Sequence, residues 1–318
     1  MPSSLHLLRR LLAASLLSIP LAAQPPFAGT IFIDPDIIKA TDPSAFSNLT
    51  DAGRGVRQMY DRRFGWVNLN AFLFRANYDD GLSIEVQINP EFATVDLARL
   101  EALRFAPAIG QLPHSLRIDV KTVWIHKGVH PFGGGNNNLL IHVGQATEYI
   151  NSGILEETFV HEASHTSLDA THAASSGWLA AQAADPEFIS TYARDNPTRE
   201  DVAESFLPYL AIRYRSDRIS TGLANTIIQA IPQRIAYFNS QQLDLYPLIR
   251  PQLAVERRAP NSLRILWPSA SINWRLEQTT DVGTETWEVP PEVMEDDGVN
   301  RSITIREELG TRFFRLAR

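Results

Sequence analysis

Residues 156–165 run Glu156-Glu157-Thr158-Phe159-Val160-His161-Glu162-Ala163-Ser164-His165. The leading carboxylates suit the first turn of a helix, where they meet the positive end of its dipole. Positions four apart in a helix lie one turn apart on one face. His161 and His165 can therefore aim two imidazole nitrogens at one tetrahedral ion, which takes such ligands at about 2.0–2.1 Å. Glu162 lies beside them without having to be a ligand. A carboxylate in that place takes a proton from water acidified by zinc and passes it to a leaving amine. The plain alternative is a surface helix with two exposed histidines. Against it stand the apolar run Leu139 to Gly144 upstream and the Phe159-Val160 pair inside the motif, which suit a helix packed on a strand.

Two histidines leave a catalytic zinc site one protein ligand short, because three ligands and one open position are usual. The first candidate for the third place is Glu200, in Tyr192-Ala193-Arg194-Asp195-Asn196-Pro197-Thr198-Arg199-Glu200-Asp201-Val202-Ala203-Glu204-Ser205-Phe206. Asn196 or Thr198 can cap a helix carrying Glu200, Asp201 and Glu204 in its first turns. Glu200 and Glu204 then share a face, so that one binds metal and the other accepts the distal N–H of a ligand histidine. The second candidate is Asp169, four residues after His165, either as a ligand or, if the helix ends before it, as the group orienting a histidine. The third is His172. A third histidine is expected ten residues after the first, with Gly seven after it and a methionine turn beyond. Here those positions are Thr171 and Leu168, and the methionines are only Met1, Met59 and Met294.

Taken together, His161-Glu162-Ala163-Ser164-His165 and Glu200-Asp201-Val202-Ala203-Glu204-Ser205-Phe206 resemble the gluzincin metallopeptidases, most closely the anthrax-lethal-factor-like branch. There a Glu-x-x-Ala-Glu-x-Phe segment supplies the third ligand from its first Glu, and an upstream Tyr assists the oxyanion. The resemblance spans about residues 155–215. It implies Glu200 as ligand, Glu204 behind a ligand histidine and Tyr192 as transition-state hydrogen-bond donor. Tyr192 stands one residue farther from Glu200 than that pattern places it. The C-terminal stretches Ile265-Leu266-Trp267-Pro268, Trp274-Arg275-Leu276-Glu277-Gln278 and Arg312-Phe313-Phe314-Arg315-Leu316 are similar to small β-modules that end many exported bacterial proteins, which implies an accessory role.

At the other end, Arg9 and Arg10, the apolar run Leu11 to Ile19 and the small residues of Pro20-Leu21-Ala22-Ala23 have the layout of a secretory signal, with cleavage expected after Ala23. The apolar run is too short to span a bilayer, and no later segment is long and apolar enough to do so. Removing residues 1–23 takes away two arginines and no carboxylate, leaving 27 Lys+Arg against 36 Asp+Glu, a net −9. An acidic chain without a basic run is a poor partner for nucleic acid. The 318 residues are 44% hydrophobic and 20% charged, which suits a globular core rather than a disordered chain. With no cysteine, disulfides, thiolate ligands and a cysteine nucleophile are all excluded.

Between the ends, residues 24–245 read as an α+β catalytic domain. A strand-like piece, Phe27 to Ile33, precedes a polar, turn-rich stretch. Trp66 to Tyr78 and Leu82 to Ile88 read as a hairpin closed at Asp79-Asp80-Gly81, and Phe92 to Phe105 as a helix ending before Pro107. Leu116 to Lys127 and Leu139 to Val143 read as strands, and successive helices follow from about Gly153 to Phe238. Phe132-Gly133-Gly134-Gly135-Asn136-Asn137-Asn138 lacks the Lys-Ser/Thr of a phosphate loop and reads as a cleft rim whose following strand pairs with an extended substrate, or as a plain mobile loop. His126, His130 and His142 have no ligand spacing and read as structural or cleft-lining. Trp178 to Ala184 reads as an apolar helix of the core. A Pro-containing linker at 246–262 leads to a small all-β domain at 263–318, with strands at Leu263–Trp267, Trp274–Gln278, Thr286–Val289, Arg301–Arg306 and Arg312–Leu316.

The expectation is an exported single-zinc peptidase: His161, His165 and Glu200 hold the metal, Glu162 serves as base and acid, and a peptide or protein is the substrate. A second enzyme reading uses Asp169 as ligand. The competing expectation is a non-catalytic exported binding or surface-interaction protein with a structural metal site, in which Glu162 has no task.

Overall fold

The polar stretch before the hairpin is a strand, contrary to its reading as turn-rich. In the computed structural model, which describes residues 24–30, 37–259, 261–269, 271–283, 285–306 and 310–318, β1 (Phe46–Asp61) pairs antiparallel with β2 (Gly65–Tyr78). Most of β1 is exposed, so it carries little of the alternation that marks a half-buried strand. The expected leader, residues 1–23, and the Ile31–Ile33 end of the first strand-like piece lie outside the described residues. Phe27 makes a single parallel bridge to Ser190.

The hairpin of β2 and β3 (Ser83–Ile88) forms as expected. Helix α1 (Val95–Gln111) starts three residues later than Phe92 and runs through Pro107 instead of stopping before it. The burial of Phe105, Ala106, Ala108 and Ile109 around the proline outweighs the hydrogen bond it forfeits. Of the stretch expected as one strand from Leu116, the first part is the helical turn α2 (His114–Arg117), and only β4 (Thr122–His126) is extended. The glycine-rich rim contains a strand of its own, β5 (Gly133–Gly135), ahead of β6 (Asn138–His142).

These strands make one mixed sheet in the order β1-β2-β3-β4-β6-β5, with β3, β4 and β6 mutually parallel and β5 antiparallel at the edge. Then follow α3 (Val143–Asn151), α4 (Leu155–Ser167), α5 (Asp169–His172), α6 (Ser176–Ala184), α7 (Thr191–Asp195), α8 (Asp201–Tyr214), α9 (Thr221–Ala230) and α10 (Pro232–Ser240). Alternate sheet residues such as Phe74, Val86, Ile125 and Ile141 share a single buried core with Phe105 of α1, Phe159 and Val160 of α4, and Phe206 of α8. Trp178 of α6 is fully buried in it, but the rest of the stretch expected as a core helix is not: Leu179 is exposed and Trp178 is the one buried residue of α6. On the other face, among the described residues, lies a small cluster of Met59, Ala71 and Leu73 with Leu69 and Trp124. The β1–β2 ladder runs past β3, which pairs with β2 only from Phe72 onward. Its far end returns to β4, setting Trp66 against Trp124 and Asp61 beside His126.

The C-terminal region is all antiparallel β. Strand β7 (Ala254–Ala259) lies inside the stretch read as linker; its charged, exposed sequence is that of an edge strand and hides the pattern. It joins β8 (Ser262–Pro268), β10 (Glu295–Asp296) and β11 (Asn300–Arg306), while β9 (Arg275–Thr279) pairs with β12 (Phe313–Ala317). Thr286–Val289, expected as a strand, reduces to one bridge between Gln278 and Glu288. Ile265, Trp267, Leu276, Ile303 and Ile305 form a separate core. Arg318 and Asn273 both hold Asp244 of the preceding domain, at 2.6 Å and 3.0 Å.

Candidate metal centre

Helix α4 carries His161, Glu162 and His165. Its core face is Phe159, Val160 and Ala163, all fully buried, which fixes the rotation of the helix and turns the histidines toward the cleft. Its position against the sheet is fixed by Thr166, which donates to the Asn138 carbonyl at 2.9 Å and accepts from the Gly135 N–H at 2.8 Å. Gly134 completes the fit, since a Cβ there would stand 1.8 Å from the Glu162 carbonyl oxygen.

Glu200 comes from α8, but not as an early helical residue behind an Asn196 or Thr198 cap. It is itself the residue before the helix, without a side-chain cap. Asn196 contributes its backbone carbonyl, which accepts from Glu200 N–H at 2.9 Å. The result brings three ligand atoms together: His161 Nε2 to His165 Nε2 is 3.2 Å, His165 Nε2 to Glu200 Oε2 is 3.2 Å, and His161 Nε2 to Glu200 Oε2 is 3.6 Å. Atoms held tetrahedrally at about 2.0–2.1 Å from one ion stand about 3.3–3.4 Å apart, so the triangle fits a zinc-sized cation. Two imidazoles and a carboxylate are also the donor set such an ion takes.

Behind the triangle each histidine has an acidic neighbour. Asp169 Oδ2 is 2.8 Å from His165 Nδ1, on the side of the ring away from Glu200. Helix α4 has ended at Ser167, and Asp169 meets the His165 nitrogen that faces away from the triangle, the orienting place expected of it if the helix ended before it, while Glu200 joins the two histidines. Glu204 Oε1 lies 3.5 Å from His161 Nδ1, longer than a good hydrogen bond. Glu204 is buried and held by Thr30, which donates to Oε1, and by Ser190, which donates to Oε2 at 2.6 Å. His172 is elsewhere: its Nδ1 is 2.7 Å from the Tyr237 hydroxyl. The structure therefore does not bring His172 to the triangle.

The electrostatics favour a cation. Burial acts to raise the Glu200 carboxyl, but the imidazoles of His161 and His165 beside it win and hold it well below the usual carboxylate range. Burial likewise acts to lower His165, yet Asp169 and Glu200 raise it to about 10. Without a metal, the carboxylates keep a proton on the imidazole to supply the positive charge.

A cleft of ≈ 420 Å³ opens on the triangle, bordered by Glu162, Tyr192, Arg62, Arg199 and the Gly133–Gly135 strip. Tyr192 reaches it from α7, and both it and Glu200 line the cleft. Burial, and then Glu200, push the Tyr192 hydroxyl up to about 12, so it keeps its proton. The N-terminal segment sets this helix in place, because Thr191 and Tyr192 N–H donate to the Phe27 and Ala28 carbonyls at 2.8 Å and 3.1 Å. Sequence reasoning put the Gly133–Gly135 stretch at a cleft rim, where the structure has it, and missed Thr30, Ser190 and Arg62. None carries a local signal; each matters only through what the fold puts beside it.

Among the described residues one other group, Asp61, Glu91 and His126, brings potential ligand atoms together. Arg63 already fills it, donating to Asp61 and to Glu91 at 2.7 Å each. His126 and His142 lie fully buried beside it, structural as expected. No helix among the described residues is long and apolar enough to cross a membrane.

No protein-family model and no curated protein matches the chain.

Proposed function

We propose that the chain is an exported zinc metallopeptidase, and the observation that carries the reading is the triangle of His161, His165 and Glu200 with Glu162 at its edge. A bound Zn²⁺ supplies a Lewis acid that acidifies water and polarises a carbonyl. The chain's own residues do the rest. Glu162 takes a proton from the attacking water and returns it to the leaving nitrogen. Tyr192, a protonated donor at the cleft, hydrogen-bonds the oxygen on which charge develops. Asp169 holds the His165 ring, and buried Glu204 backs His161. A purely structural metal site needs neither an open cleft nor Glu162 beside it; this chain has both. The signal-like residues 1–23 place the reaction outside the cytoplasm in this reading.

The test is metal content together with activity on an unstructured protein for wild type, Glu162→Gln and Glu200→Ala. Glu162→Gln should keep its zinc and lose about 10²–10⁴-fold in activity, and Glu200→Ala should lose the metal. Full activity in Glu162→Gln would sink the reading, and wild-type zinc affinity in Glu200→Ala would remove Glu200 from the site.

A further inference from the structure

The metal cleft shares a wall with a second hollow. Gly133, Gly134, Gly135 and Arg62 border both. Beyond the glycine strip is a groove of ≈ 260 Å³ whose other walls include Tyr60, Trp66 and Trp124. Trp66 meets Tyr60 and Trp124 edge-on, each at 5.5 Å between ring centroids, yet 56% of its surface is exposed. A fixed aromatic set left this open beside a cleft is the composition of a binding surface rather than of a core.

Two further features shape the groove. A Cβ on Gly133 would stand 3.2 Å from the Arg62 guanidinium and 3.5 Å from Leu140, so the glycine keeps the entrance clear. Arg62 donates to the Pro131 and Phe132 carbonyls at 2.7 Å and 2.5 Å, which pins a cation at the rim. A ring with a negative face suits such a rim better than an aliphatic chain of equal size.

We propose that this groove is a side-chain subsite of the metal cleft, receiving an aromatic side chain from a peptide laid along Gly133–Gly135. The proposal rests on the peptidase reading. An extended chain turns successive side chains to opposite faces, so a residue next to one that faces α4 is directed over the strip toward Trp66 and Trp124.

The experiment measures binding of short blocked peptides, differing only by one Phe, Leu or Asp, to zinc-loaded Glu162→Gln, which binds without turnover. The Phe peptide should bind about tenfold tighter than the Leu peptide; an Asp peptide that outbinds Phe would overturn the aromatic subsite and leave only pairing with Arg62. Trp66→Ala should abolish that preference with zinc content unchanged. Gly133→Val, which leaves every aromatic in place and fills the entrance, should abolish it too. Equal affinity for Phe and Leu, or a preference that survives both variants, overturns the subsite. The two readings fail separately. A Trp66-dependent preference in a chain that hydrolyses no peptide keeps the groove and removes the peptidase; hydrolysis without aromatic preference does the reverse.

Discussion

Asp169 holds His165 from behind: its Oδ2 is 2.8 Å from Nδ1, and the far nitrogen of the same ring is left 3.2 Å from Glu200. One carboxylate thus sets the direction in which another residue presents its lone pair. Asp169→Asn should therefore weaken zinc binding about 10–100-fold without abolishing it, as measured by competition with a chromophoric chelator. Were Asp169 a ligand, its loss would equal that of Glu200→Ala, and the two variants side by side decide the point.

Tyr192 reaches the cleft with a hydroxyl that stays protonated across the working pH range. Tyr192→Phe should lower kcat about 10²-fold while KM and zinc content stay near wild type. An unchanged kcat would assign Tyr192 to packing alone.

Gly134 touches the backbone of α4, with no flexible side chain there to yield to a Cβ. Gly134→Ala must lift β5 from α4. The expected result is a loss of about 1–3 kcal/mol, as for overpacking elsewhere, together with reduced activity. Thermal unfolding and steady-state kinetics check both, and a wild-type Tm would contradict the close approach.

His126 is a neutral buried histidine. Burial drives its pKa down to about 4, against the opposing pull of Asp61 and Glu91, while His142 and Arg63 add to the depression. Protons therefore bind the unfolded chain first as pH falls below about 6.5. The stability from this group is complete above that pH and is lost as pH drops toward 4, roughly 3 kcal/mol in all. Urea unfolding at pH 7 and pH 4.5 should show a smaller decline for His126→Gln than for wild type; an equal decline would mean that other groups carry the acid sensitivity.

The sequence by itself determined the helix of His161 to His165, since a ligand pair one turn apart is a local property of helix geometry. It also determined the β2–β3 hairpin, through alternation and turn residues, and the all-β character of the C-terminal region. Glu200 and Glu204 were legible as candidates because their four-residue spacing repeats the same local rule. Tertiary structure alone decided the rest. Which of Glu200, Asp169 and His172 meets the histidines depends on where α4 stops and how α8 packs against it, contacts between residues far apart in the chain. β1 and β7 escaped because exposed edge strands bury too little to impose a pattern. Thr30 and Ser190 escaped for a related reason: a hydroxyl means nothing until a distant carboxylate is set against it.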